Sequence, residues 1–348
     1  MRRHVIWRAE EPVSTIVVGR GVNEVLVDIV TSRPRQRVAI LSQQPTSGLA
    51  ESYGTVLSNA GLAVTGYLVP DGEEAKQLGV VEDVYRFLND SGFTREDLVI
   101  GVGGGALTDV TGFIGGTYMR GVSVVYIATT LLAAVDASIG GKTAVNVGGK
   151  NLAGVFAHPE AVLIDIDIID QLPPSLKREG AAEALKTGFI EDIGIVEAYE
   201  RSGLGVDLED VVNRSAAVKV GVVNEDFRER GRRAILNYGH TVGHAIESTT
   251  GRSHAESVSI GTVAAGAASK AVFGFEGEER QRAVLSHVGL PLNAPEADSG
   301  AVRDMMDRDK KRDTDGIRMV LLRDFGSPEL VHADDATVRA AFEGIGLT

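Results

Sequence analysis

The chain contains no cysteine. That excludes a disulfide framework, a thiolate nucleophile and any cysteine-bound zinc or iron–sulfur centre, so His, Asp and Glu are left as metal ligands. It also lacks an excess of positive charge. Its 35 Lys and Arg face 48 Asp and Glu, a net charge of −13, so nucleic acid and anionic membranes are unfavourable partners and an anionic substrate needs a local basic cluster. Long apolar runs are missing too. The most apolar late stretch, Ser257 to Phe273, is broken by Gly261, Gly266 and Lys270 and falls short of the roughly 20 residues of a membrane span, so it is expected to be a buried helix. The start, MRRHVIWRAEEPVS, is basic but has no apolar region after it, so no secretory signal is expected. A reducing, cytoplasmic location fits this composition.

What is present is a globular composition, 43% hydrophobic and 24% charged over 348 residues, a length that favours two domains. The 42 glycines exceed the usual share of about 7% and point to tight turns or close backbone approaches to a ligand. Short β-branched runs (Thr15–Val18, Arg37–Leu41, Val64–Val69, Asp97–Ile100, Ser123–Ile127, Ala161–Ile166) alternate with helical patterns, which predicts βαβ units, a mostly parallel sheet and ligands beyond the carboxyl ends of its strands. After Leu172-Pro173-Pro174 helical periods dominate, with one clear later strand at Ile317–Leu322. A boundary near residue 170 is expected. The charged segments Glu276–Arg282 and Arg303–Asp315 read as solvated surface.

Three constellations carry chemistry. The strand ending at Ile100 runs into GVGGGALTDVTGF, where glycines precede a helix expected to begin near Ala106 and backbone amides can approach a phosphate. Gly101, Gly103 and Ala106 fit the GxGxxA form of the dinucleotide fingerprint, although that pattern normally occupies a first βα turn, and a tight structural turn is an equal reading. In RAILNYGHTVGHAIE, treated as one helix, Arg233, Asn237, His240, His244 and Glu247 all fall within roughly 40° of one line at about 100° per residue. The i, i+4 histidines suit a metal; Thr241 stands where a zinc protease needs glutamate. His254 in RSHAES follows, and a glutamate from elsewhere can complete an open three-ligand site. The third constellation is cationic: Lys142 and Lys150 flank a glycine-rich loop in DASIGGKTAVNVGGKN, with Lys186, Lys219 and Lys310 further on. Such lysines suit an anion, and Asp136 and Asn151 can bind hydroxyls or cap helices.

Together these strings, from PDGEEAK near residue 70 to DKK at 309, resemble the 3-dehydroquinate synthases and the wider sugar phosphate cyclase family. The resemblance implies an α/β, Rossmann-like NAD-binding N-terminal domain, residues 1–170, and a mostly α-helical metal- and substrate-binding C-terminal domain, 171–348, as in dehydroquinate synthase-like and glycerol dehydrogenase-like folds. It implies Zn2+ (or Co2+) on Glu183, His240 and His254. It places a phosphorylated seven-carbon sugar acid on Asp136, Lys142, Asn151, Lys186, Lys219, Glu229, Arg233, Asn237, His244 and Lys310. NAD falls to Glu73, Lys76, Gly104, Gly105, Asp109, Thr129 and Thr130, with Lys142 and Lys150 near it. Arg120 matches an arginine that reaches into a neighbouring subunit's site, which implies a homodimer. The implied reaction is transient oxidation at C5, β-elimination of phosphate, reduction and intramolecular aldol closure to 3-dehydroquinate, a step of the shikimate pathway.

The chain departs from the family pattern in places. The Lys142–Lys150 loop is one residue shorter than usual, the usual HGE reads His254-Ala255-Glu256, Ala128 replaces a proline, and Ser42-Gln43-Gln44 lacks the acidic residue that often meets the adenosine ribose. An aminodehydroquinate synthase is the nearest alternative. A sedoheptulose 7-phosphate cyclase would not need the carboxylate-binding Arg233 and Asn237. A polyol dehydrogenase would leave the lysines without purpose, and a noncatalytic NAD-binding oligomer would leave the polar helix face without a ligand.

Overall fold

A computed structural model of the protein describes residues 1–8, 11–310 and 316–347, apart from the side chains of Asp309 and Lys310. These residues group into two compact units, Met1–Leu172 with Lys219–Asn224, and Pro173–Val218 with Glu225–Thr348.

The first unit is built on β1 (Arg2–Arg8), β2 (Glu11–Gly19), β3 (Arg37–Ser42), β4 (Ala63–Leu68), β5 (Leu98–Gly103), β6 (Ser123–Ala128), the hairpin β7 (Lys142–Val145) and β8 (Ala153–Phe156), and β9 (Ala161–Asp165). Seven of these form one sheet in the order β1-β2-β9-β6-β5-β3-β4. β1 and β2 pair antiparallel and the remaining neighbours are parallel. The central strands β5 and β9 are buried along their whole length, which fits their near-continuous apolar sequence because both faces of a parallel sheet are covered, with Asp165 at the end of β9 accepting from the Val22 and Asp167 amides. On one face Leu26 and Leu57, from the helices Asn23–Thr31 and Ser47–Asn59, join Val38, Ile40, Ile100 and Leu163 in the core.

The order of strand addition reverses between β3 and β5, since β4 lies outside β3 while β6 and β9 lie on the other side of β5. A switch of this kind opens a crevice at the carboxyl ends of the two strands. There Thr46 Oγ1 donates to the Val102 carbonyl at 2.8 Å and the Thr129 amide donates to the Gly103 carbonyl at 3.0 Å, so the turns after β3, β5 and β6 are tied together.

The second unit is helical, with one antiparallel hairpin of β10 (Arg318–Leu322) and β11 (Pro328–His332). Its central helix, His254–Phe273, is buried along most of its length, as its small residues predict, and no helix among the described residues is long and apolar enough to cross a membrane. Two expectations are corrected. β11 is a second late strand, hidden in sequence by Pro328 and Glu329. β1, β7 and β8 were not anticipated either: β1 is a basic edge strand, RRHVIWR, and the hairpin strands are four residues each around a glycine-rich turn.

Candidate active site

The stretch RAILNYGHTVGHAIE is not one helix. Arg232–Asn237 forms a 3-10 turn, and the α-helix begins only at His240, after Gly239 at φ 79°. The common face for Arg233 and Asn237 with the histidines is therefore lost, while His240, His244 and Glu247 keep theirs as i, i+4 and i+7. The break has a packing cause. A Cβ on Gly239 would lie 2.8 Å from the Thr262 amide nitrogen, and one on Gly261 would lie 1.9 Å from the Gly239 carbonyl oxygen, so the two helices meet backbone to backbone and hold His240 at that contact.

His254 begins the next helix because Ser253 caps it. Ser253 Oγ accepts from the Glu256 amide at 3.3 Å, and Glu256 Oε2 accepts from the Ser253 amide at 3.1 Å, a reciprocal capping box. Glu183 comes from the helix Pro174–Ile190 and is buried together with Lys186 one turn on. Lys186 pairs with Glu183 Oε2. Glu183 Oε1 lies 3.5 Å from His240 Nε2 and 3.4 Å from His254 Nε2 and is buried without a hydrogen-bond partner of good geometry. Ligand bonds of about 2.1 Å at a tetrahedral angle separate donors by roughly 3.4 Å. The carboxylate and two imidazoles thus fit a divalent cation with a coordination position left open.

The outer contacts agree. Nδ1 of His254 lies 2.8 Å from Glu247 Oε2, and Nδ1 of His240 lies 3.2 Å from the Tyr238 carbonyl, which leaves both Nε2 atoms for a metal. Burial pushes the His240 imidazole down to about 3, the neutral form a metal requires. Burial opposes charge on His254 as well, but its contacts with Glu183 and Glu247 lift it to about 9. Burial likewise works against ionised Glu183, and Lys186 with the two imidazoles outweighs it, holding this carboxyl well below the usual range. His244 is exposed, and its ligand atom lies within 4.8 Å of those of His240 and His254. It faces a cavity of about 280 Å³ shared with Asn237, Thr241 and Arg318. Glu247 and the Tyr238 carbonyl were not assigned roles from sequence; the i+7 spacing of Glu247 from His240 was the signal for the former.

Glu229, Arg233 and Asn237, also predicted, are gathered at a tight turn. Glu229 has φ 55° and its Oε1 accepts from Asn237 Nδ2 at 2.6 Å. Buried Arg233 donates from NH1 to the Phe227 carbonyl at 2.6 Å. Lys310 ends the helix Ser299–Lys310; its side chain lies outside the described residues.

In the first unit the glycine turn follows β5 as expected, and the helix Gly105–Thr117 starts there. Gly101 and Gly103 serve packing, since Cβ atoms there would lie 2.5 Å from Thr111 Oγ1 and Leu107 Cδ2. At Gly104 a Cβ would stand 3.0 Å from Thr130 Cγ2. A side chain would fill the space between this turn and Thr129-Thr130, which suits a pyrophosphate against open amides. Below it the buried Lys76 ammonium lies 2.5 Å from Asp109 Oδ2 and bonds Asn151 Oδ1. Burial raises the Asp109 carboxyl to about 6 against the pull of Lys76. Glu73 Oε1 is 3.9 Å from Lys150 Nζ. Lys219 Nζ lies 2.7 Å from Asp136 Oδ1, Lys142 opens β7 on its exposed side, and exposed Arg120 follows Met119 with both in left-handed backbone, φ 67° and 47°.

Comparison with known proteins agrees along the chain. Residues 66–179 match the family described as 3-dehydroquinate synthase N-terminal, and residues 180–312 match 3-dehydroquinate synthase C-terminal. A 3-dehydroquinate synthase of Corynebacterium diphtheriae is 40% identical over 336 residues, covering 94% of this chain and 93% of that protein. One from Thermobifida fusca is 38% identical, covering 95% and 93%. Among solved structures, 2-deoxy-scyllo-inosose synthase complexed with carbaglucose-6-phosphate, NAD+ and Co2+ superposes with a TM-score of 0.88 at 25% identity, covering 99% of this chain and 100% of that one. The 2-epi-5-epi-valiolone synthase of Streptomyces hygroscopicus, with NAD+ and Zn2+ bound, gives 0.87 at 24% identity, covering 97% and 99%, and shows the shared fold.

Proposed function

The chain belongs to the 3-dehydroquinate synthase family, and from that premise we infer that it converts 3-deoxy-D-arabino-heptulosonate 7-phosphate to 3-dehydroquinate and phosphate. The observation that carries this reading is the carboxylate oxygen of Glu183 set 3.4 and 3.5 Å from two imidazole nitrogens in a chain that also has a glycine turn fit for a dinucleotide phosphate. We assign residues 1–170 to NAD and residues 171–348 to metal and substrate.

Glu183, His240 and His254 hold the divalent zinc or cobalt, and NAD sits at Glu73, Lys76, Gly104, Gly105, Asp109, Thr129 and Thr130, near Lys142 and Lys150. When bound, the metal supplies Lewis acidity toward substrate hydroxyls and NAD a reversible hydride acceptor. The protein's own groups do the rest. Arg233 and Asn237 take the substrate carboxylate: NH1 on the Phe227 carbonyl and Nδ2 on Glu229 fix the guanidinium and the amide before substrate arrives, and such fixed donors spare reorganisation in the reaction. Lys142, Lys186, Lys219 and Lys310 offset the charge of the phosphate and of developing oxyanions. Asp136, held by Lys219, and Asn151 orient hydroxyls, while Glu229 and His244 complete the substrate contacts. Arg120 serves a second subunit of a cytoplasmic homodimer; the left-handed backbone at Met119 and Arg120 supports a functional turn there.

The test is phosphate release on adding the heptulosonate phosphate with NAD+ and Zn2+, with absorbance at the NADH band followed in the same cuvette. Phosphate release without net NADH is expected. NADH accumulation without phosphate would instead establish a polyol dehydrogenase, and phosphate release from the amino analogue alone would move the assignment to aminodehydroquinate synthase.

A further inference from the structure

Glu73 and Lys76 lie on one short helical turn and Asn151 on a loop 75 residues on from Lys76. Besides the direct contacts of Lys76 with Asn151 and of Glu73 with Lys150, one side chain that was given no role above, Asn146, bonds the two segments. Asn146 directly follows β7 and turns its amide and both side-chain polar atoms to these neighbours. Its amide donates to the Lys76 carbonyl at 2.7 Å, its Nδ2 donates to Glu73 Oε2 at 3.0 Å, and its Oδ1 accepts from the Asn151 amide at 2.9 Å. A parallel bridge between Gln77 and Asn146 continues the contact.

Asn151 is held in place by the same contacts. Its φ of 58° is a left-handed conformation that asparagine tolerates better than other non-glycine residues, and two hydrogen bonds fix it here. Asn146 Oδ1 fixes its amide and Lys76 fixes its side-chain oxygen; Lys76 belongs to the segment assigned to NAD, and Asn146 is itself bonded to that segment through the Lys76 carbonyl and Glu73. The turn between Asn146 and Asn151, Val147-Gly148-Gly149, is closed by the Val147 amide on the Gly149 carbonyl at 3.1 Å, and this is where the loop is one residue shorter than the family pattern.

We propose that Asn146 is a positioning residue that joins the NAD-contacting segment Glu73–Lys76 to the substrate-contacting Asn151, so that NAD+ binding orders the Lys142–Asn151 loop for substrate. This rests on the proposed placement of NAD at Glu73 and Lys76. A cofactor that fixes the Glu73 carboxylate and the Lys76 ammonium fixes the two groups that Asn146 and Asn151 lean on, and the ordering entropy of the loop is then met before substrate arrives.

Hydrogen exchange with and without NAD+ tests it, alongside calorimetric NAD+ affinity and KM for the sugar phosphate. In the wild type NAD+ is expected to slow exchange across residues 142–151. In Asn146→Ala that protection should vanish, and the KM for substrate should rise about three- to tenfold, the effect of one lost hydrogen bond, with kcat changed less. Asn146→Asp keeps the acceptor for the Asn151 amide but turns a carboxylate toward Glu73, so it should weaken NAD+ binding more than it raises KM. Equal NAD+ protection of the loop in wild type and Asn146→Ala overturns the inference while leaving the assigned function intact. Lys76→Met separates the two, since unchanged NAD+ affinity in that variant overturns the cofactor placement itself.

Discussion

Glu247 accepts from Nδ1 of His254 and so turns the other ring nitrogen toward Glu183. His254→Ala should therefore abolish zinc retention and turnover, read as metal content after dialysis and as phosphate release, while Glu247→Gln should lower metal affinity by about 10–100-fold with the ligands themselves intact. Asp109 gives a pH signature. Its carboxyl is raised from 3.8 to about 6 by burial, with Lys76 and Lys219 pulling down and Glu73 pushing up. The native state then binds more protons than the unfolded chain between these values, so this group's contribution falls as pH rises through the window and stays lost above it. The stability of the wild type relative to Asp109→Asn should drop by about 1–3 kcal/mol between pH 4 and pH 7, measured by urea unfolding. The choice of Glu183, His240 and His254 as ligands rests on the family resemblance, while the cluster of His240, His244 and His254 was legible from residue type and spacing. The acceptors behind them were less so, because a backbone carbonyl such as that of Tyr238 leaves no trace in sequence.

At the scale of elements, the strands that alternate with helices were legible from their β-branched cores, and Ser257–Phe273 was legible as a buried helix from its small residues. The break at Gly239 was not, because a helical projection assumes that the helix continues and a glycine inside the pattern does not announce its φ. The same contact makes a sharp prediction. Gly261→Ala would place a methyl 1.9 Å from the Gly239 carbonyl oxygen, with the Gly243 amide nitrogen at 2.7 Å, and backbone cannot swing aside as a side chain can. The variant should lose about 3 kcal/mol of stability, at the upper end of overpacking costs, and weaken metal binding by shifting His240. Thermal melting and zinc titration of the one protein check both effects. The short strands β7 and β8 escaped sequence reading because period-2 alternation over four residues is too brief to separate from a loop.

Over the whole molecule, the residues assigned to NAD and those assigned to the metal share no member and fall in different units. Stripping the metal with a chelator should end turnover yet leave NAD+ affinity within about twofold, as independent sites allow. The division between an α/β half and a helical half was legible from the change of hydrophobic period after Pro174. What did not show is that Lys219–Asn224, the last turns of the helix Leu208–Glu225, group with the first unit, because the helical period runs through them without interruption.

The three residues proposed as ligands, Glu183, His240 and His254, stand on three separate helices, so an ion held there would also be a cross-link across 71 residues of sequence from Glu183 to His254. At a free concentration a thousandfold above its dissociation constant such an ion adds about 4 kcal/mol to the native state, a reinforcement on the scale of a disulfide in a chain that has no cysteine to form one. Under this assignment, metal starvation should act on the protein twice, removing its Lewis acid and lowering its resistance to proteases, so that limited proteolysis with and without zinc should show faster cleavage of the stripped protein.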